Sequence, residues 1–96
     1  MTYLDDDAAL IRAALPSEAA PPENSDWLFR LYAVLLRVRG EQVSLADVHD
    51  AWSAWKVMDD PSHPAIVPFE DLPPEKQEQD RPYVNAIQDV ARRRGQ

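Results

Sequence analysis

Nine prolines cut this chain into pieces, and their positions decide most of what it can become. Proline has no amide hydrogen and clashes with the preceding turn, so a helix tolerates it only in its first turn. Residues 1–15, 23–60 and 83–96 are free of it. Within them apolar residues recur every three or four positions, the period of a helix face, and never alternate for a strand's length. Only residues 65–67 read as briefly extended. The expectation is an all-α domain of about four helices, with an ordered proline-rich loop before the last.

The helices are predicted over 4–15, 25–39, 45–58 and 74–94. Leu4, Ala8, Ile11 and Leu15 form one face of the first, and Asp5, Asp6 and Asp7 sit at the positive end of its dipole. PSEAAPPENS is a linker. Ser25 is placed to cap the second helix, which presents Leu28, Leu31, Tyr32, Leu35 and Leu36 on one side. Gly40 stands where a left-handed C-terminal cap is wanted. Trp27 reads as core or staple.

Ser44, with Asp47 three residues on, opens the third helix as a capping box. Leu45, Val48, Trp52 and Trp55 share its face. In the last segment the apolar face is Tyr83, Val84, Ile87, Val90 and Ala91. Pro82 falls inside it and predicts either a short helix to Gln79 with a new start at Asp80, or a kink. The organisation expected is one domain, with an N-terminal helical hairpin over 1–42 and a helix–loop–helix over 43–96.

Charge excludes some functions. Ten basic residues stand against 17 acidic ones, net −7. A nucleic-acid surface or an anionic membrane needs a concentrated basic face, so neither is an expected partner. The run Arg92, Arg93, Arg94 reads as complementing a helix C-terminus. There is no cysteine, hence no disulfide, thiolate metal site or thiol nucleophile. No apolar run approaches the about 20 residues of a membrane span, and MTYLDDDAAL has acids where a signal peptide has bases, so a cytoplasmic protein is expected.

Catalytic signatures are missing. No nucleophile elbow, phosphate-binding glycine loop or zinc motif occurs. His49 and His63 lack a further ligand at metal spacing, and His49 reads as a surface or capping group on a helix flank. Asp59–Asp60 and Glu70–Asp71 lie in solvated loops with no nucleophile nearby. The expectation is no enzyme, no metal and no cofactor. Trp52 and Trp55 either complete the core or wall a ligand pocket.

HPAIVPFEDLPPEKQEQDR, residues 63–81, is the stiffest stretch. Pro64 and Pro68 fix their own torsions and push the residues before them toward extended geometry. Ile66, Val67 and Phe69 then pack inward, with Val67 and Phe69 expected against Trp52 or Trp55. Glu70 or Asp71 is expected to cap the last helix, and Pro73 and Pro74 suit its first turn. A loop so constrained loses little entropy on ordering, which serves stability and ligand preorganisation alike.

With a tryptophan-bearing helix before it and PYVNAI after it, this stretch resembles the ryanodine-receptor repeat domain. The matching positions are His63, Pro64, Ile66, Val67, Pro68, Phe69, Asp71, Leu72, Pro73, Glu75, Lys76 and Asp80. The match as a whole covers roughly residues 48–92, and short stand-alone chains of actinobacteria and their phages look similar. The resemblance implies a mainly helical, non-catalytic binding module for a small anionic or nucleotide-derived ligand. It places a pocket between the third helix and the loop, with Trp52 and Trp55 as stacking faces and Lys56 and His63 as polar contacts. Pro64, Val67, Pro68 and Phe69 would form the loop wall. A protein-docking or self-associating adaptor is the alternative.

Overall fold

A computed structural model describes residues 2–95. Helix α1, Tyr3–Ala14, starts from a capping box: the Thr2 hydroxyl accepts from the Asp5 amide and the Asp5 carboxylate accepts from the Thr2 amide. Helix α2 spans Asp26–Arg39. Gly40 follows it at φ +56°, leading into a 3-10 turn over Gly40–Gln42. A Cβ there would touch nothing, so the demand for glycine is torsional, not steric. Helix α3, Leu45–Lys56, opens with the Ser44–Asp47 box, and Asp47 also accepts from Arg39 Nε at 2.9 Å.

The last segment is divided. A single turn, α4, covers Pro74–Gln77, a 3-10 turn covers Glu78–Asp80, and α5 runs over Arg81–Arg94. Pro82 is the cause: it sits in the first turn of α5, where its missing amide costs nothing. The chain is thus mainly helical, with four principal helices and, among the described residues, no strand.

Helix α5 packs against α1, α2 and α3. Ile11, Leu28, Phe29, Tyr32, Val48, Val84 and Ile87 are completely or almost completely buried between them. Phe29, Tyr32 and Tyr83 form an aromatic cluster with centroids 5.4–6.2 Å apart. Beside this core lies a polar centre. Asp7, 1% exposed, accepts from Arg37 Nε at 2.7 Å and from Arg94, tying α1, α2 and α5 at one carboxylate. The arginine run closes further contacts, Arg92 with Glu41 and Arg93 with Asp89.

Several expectations give way. Trp27 is 59% exposed, neither core nor buried staple, and Arg30 lies over its ring at 5.4 Å. Ser25 makes no capping bond because its backbone is not extended; its buried hydroxyl accepts from Arg12 instead. Val67 and Phe69 are only half-buried. The ring nearest Phe69 is His49 at 6.2 Å, not a tryptophan. Glu70 and Asp71 belong to a 3-10 turn, and no side chain caps α4. Among the described residues no helix is long and apolar enough to cross a membrane.

Candidate functional site

An open cleft of about 500 Å³ lies between α3, the stiff loop and the turns over residues 74–80. Its makers are held from both sides. From α3, buried His49 donates its Nε2–H to the Val67 carbonyl at 2.6 Å. From α4, the Gln77 amide donates to the Phe69 and Leu72 carbonyls at 3.2 and 3.1 Å. The loop is therefore bolted to both walls, and its prolines leave it few other shapes.

The lining is aromatic on one wall and polar on the other. Trp52 is half-buried, with His49 stacked on it at 5.9 Å and His63 edge-on at 5.2 Å. His63 Nδ1 accepts from the Ala65 amide at 3.0 Å, leaving Nε2 as the ring nitrogen available to a ligand. Opposite stand Lys76, Gln79 and Asp80, with Pro64, Leu72 and Pro73 at the margins. Lys76 forms no ion pair with any described residue.

Asp80 is half-buried, and its carboxylate makes no hydrogen bond to a described residue. Burial pushes it above the ordinary carboxylate range, while His49 draws it partway back. The phenols of Tyr32 and Tyr83 are raised chiefly by burial and further by Asp80. A carboxyl left at an energetic cost in a cleft is a mark of a binding or reacting position. Among the described residues no group of acids and histidines is arranged to hold a metal ion.

Of the residues expected to bind, Trp52, His63 and Pro64 line the cleft. The others do not. Trp55 falls on the side of α3 that packs toward the core. Lys56 sits over the Trp55 ring at 5.6 Å and pairs with Asp59 at 3.8 Å. Val67 offers only its carbonyl, to His49, and Pro68 faces solvent. Phe69 packs behind His49. His49, read from sequence as a flank residue, is 3% exposed and anchors the loop. Lys76, Gln79 and Asp80 complete the cleft, and only the break before Pro82 signals in the sequence that the chain turns there.

Fold and cleft together define a small helical domain with a preorganised concave site. The chain matches the model of a domain of unknown function (DUF7701) over residues 2–92 and belongs to that family. None of the curated proteins and none of the solved structures matches it. The ryanodine-receptor resemblance is thereby overturned: no such family is found, and the matching family takes in the first helices as well. Proline-stiffened backbone followed by a Pro-Pro-Glu helix start arises wherever a rigid loop feeds a helix, which explains the local likeness. The actinobacterial and phage association falls with it.

Proposed function

We propose that this domain binds a small, planar, anionic ligand of nucleotide type in the cleft, without transforming it. The observation that carries this reading is the convergence of Trp52, His63, unpaired Lys76 and half-buried Asp80 on one preformed hollow. Each group has a fitting task. The exposed part of the Trp52 indole gives a flat ring a surface to lie on. Asp80 takes N–H donors from the edge of a base, and Lys76 meets phosphate as a point charge. His63 Nε2 adds a directional contact.

Binding is favoured over catalysis because, among the described residues, no hydroxyl or thiol nucleophile lines the hollow. The cytoplasm, where nucleotides are abundant, is the setting proposed.

The test is calorimetric titration with nucleosides, nucleoside mono- and diphosphates, and inorganic phosphate. A nucleotide is expected to bind, and Lys76→Met to weaken it about tenfold or more, the worth of one charge-assisted contact. The same variant should leave binding of the unphosphorylated nucleoside within about twofold. If no nucleotide binds at millimolar concentration, or if Lys76→Met affects nucleoside and nucleotide equally, the reading fails.

A further inference from the structure

Helix α2 is apolar on two opposite sides. Leu28, Phe29, Tyr32, Ala33 and Leu36 are buried on one. At about 100° per residue, Trp27, Leu31, Val34 and Val38 fall within an arc of about 60° on the other. Trp27, Val34 and Val38 are 59%, 41% and 68% exposed. Leu31 is half-buried beside them, and with Leu4 it floors a shallow groove of about 310 Å³. A solvent-facing helix surface normally carries charge at such positions. The spacing of four, three and four residues is that of the apolar seam of a two-stranded coiled coil.

We propose that this seam is where two copies of the chain meet, their α2 helices antiparallel about a two-fold axis. This goes beyond the cleft reading and does not depend on it. A two-fold interface needs a patch that complements itself, and this one does. Trp27 and Val38 lie equally far from the midpoint between Leu31 and Val34. Reversing the helix about that midpoint lays Leu31 on the partner copy's residue 34, and Trp27 on residue 38. Every layer then sets a larger side chain against a smaller one. A parallel pair would crowd two indoles at one end and leave two valines loosely packed at the other.

Charge permits the approach despite a net −7 on each chain. Arg30 and Arg37 flank the seam, and each is already held by a carboxylate of α1, Asp5 and Asp7, both at 2.7 Å. The partner's helix therefore meets guanidinium groups already held by carboxylates, Arg30 one-to-one by Asp5 and Arg37 by an Asp7 that Arg94 shares, not a row of free ones. A foreign helix would need none of this internal symmetry. Two heptads fall short of the roughly 800 Å² per partner of a standard interface, so the dimer depends on concentration.

The experiment is sedimentation of the full chain from about 1 μM to about 500 μM, concentrations bracketing a weak association. The mass is expected to rise from 10.9 kDa toward twice that value. Val34→Glu, at an exposed position, should stay monomeric throughout with an unchanged helical circular dichroism spectrum. The chain has no cysteine, so orientation can be read by cross-linking. A mixture of Trp27→Cys and Val38→Cys should oxidise to the mixed disulfide several-fold faster than either alone forms its own. A monomer at every concentration would assign the seam to a different protein and overturn the proposal. So would a Val34→Glu variant that still dimerises, or homodisulfides forming as fast as the mixed one.

Discussion

Asp80 shows how a single residue can set binding against stability. Its folded carboxyl holds a proton more tightly than the unfolded chain does, because burial is the larger influence and His49 only partly offsets it. The protonated form is favoured on folding, so this contribution is fully present below the unfolded carboxyl value of about 3.9 and is lost as pH rises through the folded one. At neutral pH the ionised group opposes folding. Asp80→Asn keeps the shape, and asparagine suits the N-terminal position ahead of α5 equally well. The variant should melt higher than the parent at pH 7 and together with it near pH 3, the lower limit of that window. Thermal melts at the two pH values check this. A variant that melts lower at pH 7 would mean the carboxylate supports the fold, and the strain argument for a binding role would go with it.

At the scale of elements, the stiff loop owes its shape as much to its fastenings as to its prolines. Gln77 is one of them, its amide shared between the Phe69 and Leu72 carbonyls. Gln77→Ala should cost about 1–2 kcal/mol, the usual net worth of such bonds. Gln77→Glu should cost more, since a carboxylate can only accept and would face two carbonyl oxygens. Urea unfolding of the pair gives the order, and Gln77→Glu proving no worse than Gln77→Ala would refute it. The fastening also marks where sequence reading ends. The buried faces of α1, α2, α3 and α5 were legible, since Ile11, Tyr32, Val48 and Ile87 repeat at helical spacing and burial follows that period. Trp27 was not, because an indole at the start of a helix has the same chemistry whether it packs inward or outward. In the cleft, Trp52, His63 and Pro64 were singled out only through the overturned resemblance; the residues themselves showed a rigid loop beside an aromatic helix and left core and pocket both open. Lys76, Gln79 and Asp80 were not legible, because their direction depends on how the chain divides into the α4 turn and the 3-10 turn over Glu78–Asp80, which helical period does not fix. Pro82 offered two outcomes, and the chain takes the broken one, with Pro82 in the first turn of α5.

The whole molecule is gathered at Asp7, where the chain's two ends meet its middle. Asp7 lies on the inward side of α1 with Ala8 and Ile11, so helix period alone places it inside, but its charge also reads as a simple answer to the helix dipole. Arg37 and Arg94 occupy both carboxylate oxygens. Burial pushes the carboxyl up, the hydrogen bonds from Arg94 and Arg37 outweigh it, and the result lies below the ordinary value. Its contribution to stability is therefore present above about pH 3.9 and is lost as pH falls through the depressed folded value. Asp47, lowered by Arg39 and Ser44 against its own burial, adds to the same acid window. Asp80 has the opposite sign. Asp7→Ala should cost about 2–3 kcal/mol at pH 7, the loss of two hydrogen bonds to a charged group, softened because both arginines are partly exposed and can turn to water. Arg94→Ala should cost less, since Arg37 remains. The double variant should fall short of the sum by about 1 kcal/mol, the coupling expected of groups in one network. Urea unfolding from pH 7 to about pH 2, the span in which carboxylates titrate, separates this tie from mere packing. Asp7→Ala should flatten the acid decline of stability, whereas a packing defect would lower stability equally at every pH. An unchanged acid slope in Asp7→Ala would remove the buried carboxylate as the tie between the ends of the chain.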